Sequence, residues 1–373
     1  MEQSLLAQGI SVETATTDDD GSRAHVTKPL SQRIEEEDAF RWYFKKNTEI
    51  YKCSWSFAHW LNSCARNYDL IHIHYLFTFT SSYAAWCARR NGIPYIVRPL
   101  GVLNRYGLTK RRPLLKKLSL KFIEGPILQH AAAIHFTSTA EQCEVESLGY
   151  GLKKSVVIPL ATTAFESANV LPLSKLLPEA SGKRVILFLS RLDIKKNIEG
   201  LLNAFAQIAT QSSDSHLVIA GSGEPAYVVK LKGLAKNIGI DNRISWPGYV
   251  QGEIKAALLR DSTLFVLPSY SENFGIAAAE ALAAGLPCVV GQGVALAEQI
   301  ERAGAGISVN TDSTDIANGI RNILDSETRR TTMSACAYTL AGAEFSGVVM
   351  GKRLQNLYED ICARSPVTRP SRA

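Results

Sequence analysis

The sequence predicts an α/β protein whose strands lie in parallel sheets. Short apolar runs alternate with segments of helical periodicity along the chain, and strands that alternate strictly with helices are typical of parallel sheets. In the first half, helices are predicted at 81–91, 114–129 and 140–148, and the strands that flank them at 70–76, 95–98, 131–137 and 155–160. The second half repeats this alternation after a stretch rich in proline and serine, 166–183.

Length and composition restrict the class of protein. The chain has 373 residues, of which 46% are hydrophobic, which is enough for two domains of about 100–200 residues each. It has no apolar run of about 18 residues and does not open with a signal peptide, so we expect a cytoplasmic protein. Its seven cysteines show no CxxC spacing, which indicates neither a disulfide framework nor a zinc site.

Two glutamates stand where a predicted loop leads into a predicted helix. Glu272 follows a buried strand at 263–268, and Glu280 lies within a helix from Gly275 to Ala284 whose other residues from 276 onward are all apolar. A helix that is apolar all round is buried, and a buried carboxylate needs a donor. That donor is either a neighbouring backbone group or arginine, or the hydroxyls of a ligand such as a ribose.

The start of the same helix is a candidate phosphate site. Residues 273–276 offer backbone N–H groups at a helix N-terminus, where phosphate binds readily. A ribose at Glu280 and a phosphate at this N-terminus together describe a site for a nucleotide diphosphate.

A basic loop follows the strand predicted at 184–190. Arg191 and Lys196 can converge on one anion above the end of a parallel sheet, and a guanidinium fork with an ammonium point charge suits a diphosphate. The alternative is an exposed, solvated basic loop. Asn197 is predicted to be the N-cap of the next helix. The Gly221 and Gly223 turn after a further strand is weak evidence for phosphate on its own.

Together these stretches resemble the retaining glycosyltransferases of group 1, family four of the GT-B fold. This resemblance implies two Rossmann-like domains that face a cleft. It also implies that Arg191 and Lys196 bind the donor diphosphate, that Glu272 lies against the donor sugar and that Glu280 holds the ribose. The backbone amides that contact phosphate or sugar in the family match Asn273, Phe274 and Gly275.

The resemblance also divides the chain. It implies an acceptor-side domain over 1–165, a linker at 166–183, a nucleotide-sugar-binding domain over 184–347, and a C-terminal helix at 348–364 that crosses back to the first domain. Residues 1–9 resemble the end of the family's first helix, and 11–16 its second strand. We therefore expect the first domain to lack its first strand and loop, which would expose a sheet edge and weaken folding and turnover.

The acceptor side departs from the family at a second point. Many relatives carry a histidine-glycine pair after the strand predicted at 95–98, whereas this chain has Arg98 and, three residues later, Gly101. Gly101 matches and the histidine does not, so Arg98 and Gly101 are acceptor-side candidates and no catalytic base is assigned. In the family's usual mechanism the leaving phosphate takes the acceptor proton. No metal and no cofactor are expected.

A basic segment at 105–121 holds seven lysines and arginines and no acid. The apolar residues Leu114, Leu115, Leu118 and Phe122 or Ile123 recur there at helical spacing, so the segment could lie peripherally on the inner face of an anionic membrane. The alternative is a core helix with a solvated basic face. Nucleic-acid binding is not expected, because the segment lacks interleaved aromatic residues and a known binding motif. The basic residues are Arg105, Lys110, Arg111, Arg112, Lys116, Lys117 and Lys121.

Three functions are compatible with these observations. The first is an enzyme that moves a hexose from a UDP- or GDP-sugar to a glycan or lipid-linked glycan with retention, in polysaccharide biosynthesis. The second is a sugar-nucleotide epimerase of the same fold. The third is a non-catalytic binder of nucleotide sugars, which the missing N-terminal loop would favour.

Overall fold

The computed structural model describes residues 1–21, 24–103, 108, 113–162 and 170–364. It divides into two units. The first comprises Met1–Pro159 and the chain from Gly347 onward, and the second comprises Leu160–Ser346. The described part of the predicted linker, 170–183, packs on the second unit, since Leu173, Leu177 and Ala180 belong to its hydrophobic core.

The strands of the first unit form two sheets. The first sheet has the order β1-β3-β2, in which β1 pairs parallel with β3 and β2 pairs antiparallel with β3. The second is a parallel sheet of four strands in the order β4-β5-β6-β7. The strands are β1 (Glu13–Thr17), β2 (Arg33–Glu36), β3 (Ala39–Phe44), β4 (Ile71–His74), β5 (Tyr95–Arg98), β6 (Ala133–Phe136) and β7 (Ser155–Val157).

The helices of the first unit cover the apolar faces of these sheets. Phe44 of β3 and Phe57 of α2 meet edge to face with ring centroids 5.6 Å apart. The predicted helix at 114–129 is interrupted by a π-helical turn, Leu120–Glu124. The helices are α1 (Glu2–Leu6), α2 (Trp55–Cys64), α3 (Phe79–Arg90), α4 (Pro113–Ser119), α5 (Gly125–His130) and α6 (Thr139–Glu146).

The second unit is built on a six-stranded parallel sheet with the order β10-β9-β8-β11-β12-β13. The chain runs outward from β8 to β10 in one direction, and then from β11 to β13 in the other. The order therefore reverses between the neighbours β8 and β11, and open α/β sheets bind ligands outside the carboxyl ends of the strands at such a point. The strands are β8 (Arg184–Leu189), β9 (Ser215–Ala220), β10 (Ile244–Gly248), β11 (Leu264–Leu267), β12 (Cys288–Gly291) and β13 (Gly306–Val309).

Buried aliphatic side chains fill the space between this sheet and its helices. All six residues of β9 and all four of β11 are buried, as parallel strands covered on both faces must be. The prediction of an α/β protein with parallel sheets is confirmed. The helices are α7 (Leu173–Leu176), α8 (Ile198–Ala209), α9 (Pro225–Asn237), α10 (Gly252–Asp261), α11 (Ile276–Ala283), α12 (Ala297–Arg302), α13 (Ser313–Leu324) and α14 (Glu327–Glu344).

The C-terminal helix, α15 (Gly347–Arg364), belongs to the first unit. It packs against α1, and Gly351 makes this close approach possible. A Cβ atom on Gly351 would lie 2.2 Å from the carbonyl oxygen of Ser4, a distance that no side chain tolerates. Among the described helices of both units, none is long and apolar enough to cross a membrane.

Candidate functional site

The first element of the site is the loop that follows β8. Arg191 is exposed at its start, and the Leu192 N–H donates to the Ser222 carbonyl over 2.8 Å. Asp193 then caps a single 3-10 turn, Ile194–Lys196, by accepting from the Lys195 N–H at 2.9 Å. This turn carries Lys196 back towards the sheet, where its side chain is buried.

Two glycines allow the loops after β8 and β9 to lie side by side. A Cβ atom on Gly221 would lie 1.8 Å from the Ser190 carbonyl oxygen, and one on Gly223 would lie 2.2 Å from the Leu192 carbonyl oxygen. Gly221 also has a φ of +147°, which L side chains rarely adopt. The contacts between the loops thus require both glycines. Their contact with phosphate stays a prediction.

The second element is the loop that follows β11, and it meets the first through an ion pair. Lys196 Nζ pairs with Glu272 Oε1, and the Ser269 hydroxyl donates to the same oxygen at 3.0 Å. The Tyr270 N–H also donates to the Lys195 carbonyl at 2.9 Å. Since β8 and β11 are neighbours, the structure brings the predicted Lys196 and Glu272 together at the point where the strand order reverses.

Asn197 lies at the N-cap of α8, as predicted, but its side chain bonds to other parts of the unit. Its backbone is left-handed, with φ +55°, and its side chain makes no capping bond to α8. Instead its Nδ2 donates to the Thr311 carbonyl at 2.7 Å, while its Oδ1 accepts from the Tyr270 hydroxyl at 2.9 Å. The side chain therefore bonds to no N–H group of the helix, although it lies over the first turn beside Gly200. Asn197 thus joins the loop after β8 to the loops that follow β11 and β13.

The third element is the N-terminus of α11. Gly275 precedes the helix with φ +94°, so a residue with a side chain would be strained there. The side chain of Phe274 is buried against Phe345, with ring centroids 5.7 Å apart, and its backbone is therefore the part that could reach a ligand. Asn273 is half-buried on the loop before it. The first N–H groups of α11 have no intrahelical acceptor, as in any helix.

Glu280 has a protein partner that the sequence did not indicate. Lys255 Nζ on α10 lies 2.8 Å from Glu280 Oε1, and the Glu280 side chain keeps about a fifth of its surface exposed. Helix α11 is also not buried all round as predicted, since Ile276 is 42% exposed. The exposed side begins at the first turn of the helix, next to the loop that carries Glu272. Glu280 is thus paired and accessible.

The acceptor-side candidates lie in the first unit, at the carboxyl end of β5. The Gly101 N–H donates to Glu141 Oε1 at 2.6 Å. Arg98 ends β5 and is buried, with 4% of its surface exposed. Burial lowers the pKa of its guanidinium to about 10, so the group stays charged at neutral pH. The predicted site residues thus fall in both units.

The described part of the basic segment exposes its apolar residues. Leu114, with 76% of its surface exposed, and Phe122, with 67%, stand out. Lys116, Lys117 and Lys121 interrupt them. Arg105, Lys110, Arg111 and Arg112 lie outside the described residues. The core-helix alternative is therefore wrong for the apolar side chains that carry the predicted stripe, which are Leu114, Leu115, Leu118, Phe122 and Ile123.

In the described ranges, no group of three or more histidine, cysteine, aspartate and glutamate side chains is arranged to hold a metal ion. All seven cysteines are free thiols.

Family models match both units of the chain. Residues 1–161 match the glycosyl transferase 4-like domain, and residues 173–339 match glycosyl transferases group 1. The chain is thus built from two glycosyltransferase domains, of which the second is of group 1. The fold agrees, since sucrose-phosphate synthase from Thermosynechococcus elongatus superposes with a TM-score of 0.79 at 22% identity, over 98% of this chain and 92% of that one. The two Rossmann-like domains of the predicted fold class are thereby confirmed.

Curated relatives match parts of the chain. A D-inositol 3-phosphate glycosyltransferase from Corynebacterium kroppenstedtii is 30% identical over 191 residues, which are 50% of this chain and 42% of that protein. A mannosylfructose-phosphate synthase from Agrobacterium fabrum is 26% identical over 249 residues, 60% of this chain and 53% of that protein. The chain thus spans about half the length of these relatives.

Proposed function

We propose that this chain transfers a hexose from a UDP- or GDP-sugar to a glycan or lipid-linked glycan, with retention of the anomeric configuration. The observation that carries this proposal is the pairing of Lys196 with Glu272 above the ends of β8 and β11, where an α/β sheet of this topology binds its ligand. A cytoplasmic role in polysaccharide biosynthesis would suit such a reaction.

The donor diphosphate would be held from three sides. Arg191 supplies an exposed guanidinium, Lys196 an ammonium group, and the start of α11 its backbone N–H groups. In the structure Lys196 forms an ion pair with Glu272. A diphosphate carries more negative charge than one carboxylate, so its arrival would draw Lys196 away and leave Glu272 available to the sugar.

The remaining roles follow from chemistry. Glu280, whose carboxylate keeps solvent access beside Lys255, would accept hydrogen bonds from the two ribose hydroxyls. Lys196 and Arg191 would stabilise the charge that develops on the leaving phosphate, while the site holds donor and acceptor in a reactive geometry. The leaving phosphate itself would take the proton of the acceptor hydroxyl, so neither a protein base nor a metal is required for the step.

The names of two relatives bear on the charge of the acceptor. One is called a D-inositol 3-phosphate glycosyltransferase and the other a mannosylfructose-phosphate synthase, and both names contain a phosphate. These names describe those proteins. For this chain they favour a donor sugar transferred to a hydroxyl of an acceptor that carries an anionic group.

The donor can be identified by ligand stabilisation. A ligand that binds the native state raises its melting temperature, so we expect at least one member of a panel of UDP- and GDP-sugars to do so. The corresponding nucleoside, which lacks the diphosphate, should have a much smaller effect, because it would lose the proposed contacts with Arg191, Lys196 and the start of α11. If no nucleotide or nucleotide sugar in the panel stabilises the protein, the proposed function is wrong.

The other two functions predict different products from the stabilising donor. A glycosyltransferase releases nucleoside diphosphate only as sugar reaches an acceptor or water. An epimerase converts the donor, without any acceptor, into a nucleotide sugar of changed configuration. A non-catalytic binder produces neither. Chromatography of donor incubated with and without a panel of sugar and sugar-phosphate acceptors therefore separates the three.

We also propose that the basic segment 105–121 contacts an anionic membrane surface. Leu114, Leu115 and Leu118 are exposed in the first unit next to Lys116 and Lys117. Exposed apolar side chains among lysines match the interfacial region of a bilayer, where acyl chains lie below anionic headgroups. Such contact would bring the chain to a lipid-linked acceptor.

Removing this apolar surface should weaken membrane binding. We expect the wild-type protein to sediment with phosphatidylcholine vesicles that contain about one third anionic lipid, and to do so less at high salt. Leu118→Ser and Phe122→Ser should each lower the partition coefficient by about 10–100-fold, since burying such a side chain is worth about 1.5–3 kcal/mol. Val229→Ser, at an exposed valine of the second unit, is the control. Equal sedimentation of all variants would contradict the contact.

A further inference from the structure

Arg98 is a buried cation without adequate partners. Its Nη1 contacts only the Met1 sulfur, at 3.5 Å. Its Nε and Nη2 atoms are both buried and have no hydrogen-bond partner anywhere in the described ranges. An unsatisfied buried donor on a charged group costs several kcal/mol, and Arg98 carries two of them.

Two of the side chains around Arg98, His72 and His135, cannot supply the missing acceptor, because their hydrogen bonds are already assigned. His135 Nε2 lies 2.8 Å from the Ile158 carbonyl, which only accepts, so this nitrogen carries the proton. His135 Nδ1 must then accept from His72 Nε2 at 3.3 Å, and His72 Nδ1 must accept from the Tyr358 hydroxyl at 2.7 Å. These roles hold because both rings are neutral: burial lowers the pKa of His72 well below its usual value and that of His135 to about 3.

The nearest counter-charge is also occupied. Glu141 is the carboxylate whose charge acts on Arg98. Its Oε1 accepts from Gly101, and its Oε2 accepts from both the N–H and the hydroxyl of Thr137, at 2.8 Å each. Glu141 therefore stabilises the charge of Arg98 electrostatically, but it accepts no hydrogen bond from it.

The two free nitrogens form one edge of the guanidinium. The N–H bonds of Nε and Nη2 point in the same direction, and this edge matches two oxygens of one carboxylate or phosphate. The edge lies at the carboxyl ends of β4 and β5, where Tyr75 and Leu100 both hold left-handed backbone, with φ of +66° and +54°. Such strained residues collect at ligand sites.

We propose that the Nε–Nη2 edge of Arg98 binds an oxyanion, which is the phosphoryl or carboxylate group of the acceptor. The oxyanion accepts both buried N–H groups and neutralises the guanidinium. The identification of this ligand with the acceptor rests on the proposed function, whereas the binding of an oxyanion does not. The acceptor would accordingly be an anionic sugar or an anionic glycan rather than a neutral one.

Equilibrium binding of simple anions tests the site without donor or turnover. The full chain is heated in phosphate, sulfate or acetate, each against chloride at the same ionic strength. The variants are Arg98→Lys, which keeps the charge but loses the two-donor edge, and the control Arg66→Lys, at an exposed arginine of the same unit. Any phosphate bound near Lys196 contributes equally to both variants, so it cancels in the comparison.

We expect an oxyanion to raise the melting temperature of the wild type and of Arg66→Lys by roughly 2–4 °C more than that of Arg98→Lys. A response to phosphate and sulfate identifies a phosphoryl ligand, and one confined to acetate a carboxylate. Stabilisation by nucleotide sugar should be the same in both variants, which separates this proposal from the proposed function. Equal oxyanion responses in the two variants would overturn the assignment of the oxyanion to Arg98.

A second measurement decides the matter if Arg98→Lys does not fold. Crystals of the wild type soaked in tungstate, a tetrahedral oxyanion, should show its anomalous signal within hydrogen-bond distance of Arg98 Nε and Nη2. Tungstate bound elsewhere on the protein, with none at this edge, would overturn the assignment.

Discussion

Replacing Lys196 with methionine is expected to lower kcat/KM for glycosyl transfer by about 10²–10³-fold, the usual cost of one preorganised donor to developing charge. Methionine keeps the apolar stem of lysine but cannot contact the leaving diphosphate. Since that charge grows as the glycosidic bond breaks, the larger part of the loss should fall on kcat. Steady-state kinetics with the donor found in the stabilisation panel measure it.

The same substitution also removes the ion-pair partner of Glu272, so the experiment needs a control for loss of folding. Lys230→Met removes a lysine from an exposed pair with Glu199 in the same unit and should leave kcat/KM within about twofold, as exposed pairs contribute little. Comparable circular dichroism of both variants would confirm that the site and not the fold is affected. A kcat/KM for Lys196→Met close to that of Lys230→Met would rule out its role on the diphosphate.

Replacing Glu280 with glutamine is expected to weaken donor binding by about 10–100-fold, since a hydrogen bond to a charged group contributes about 1.5–3 kcal/mol. The amide keeps the size of the side chain but offers one acceptor oxygen where the carboxylate offers two. The ribose is held alike in ground state and transition state, so KM for the donor should rise while kcat changes little. Calorimetry of the donor nucleotide measures the affinity directly.

The ion pair with Lys255 gives Glu280 an alternative, structural role. Variants can separate this role from ribose binding. If Glu280 serves only to pair with Lys255, then Lys255→Met and Glu280→Gln should lose stability alike and leave nucleotide affinity unchanged. If it holds the ribose, Glu280→Gln alone should lose affinity. Glu298→Gln, at an exposed pair with Arg302, should change neither quantity. Unaltered donor affinity in Glu280→Gln would remove Glu280 from the site.

Sequence periodicity was enough to predict the alternation of strands and helices and the loops that carry the site. The apolar run before Glu272 and the strand before Arg191 both ended where the structure ends β11 and β8, to within one residue. The pattern could not give the strand order. That β8 and β11 are neighbours depends on pairing across more than 70 residues, and this pairing is what brings Lys196 to Glu272.

Features set by tertiary contact or by unusual backbone were missed. Lys255 is an ordinary helix lysine in the sequence, and only the packing of α10 beside α11 makes it the partner of Glu280. The β2–β3 hairpin was missed because its turn residues, Glu37 and Asp38, both adopt left-handed backbone without the asparagine or glycine that usually signals such a turn. The sequence indicated Arg98 as a candidate by its position. It could not show that two nitrogens of its side chain lack hydrogen-bond partners.

The structure of the protein with the donor that stabilises it most is the measurement closest to the central claim, that a nucleotide sugar binds above β8 and β11. We predict the diphosphate within hydrogen-bond distance of Lys196, Arg191 and the first N–H groups of α11, and the ribose hydroxyls on Glu280. A nucleotide bound elsewhere, with the Lys196–Glu272 pair undisturbed, would contradict the claim.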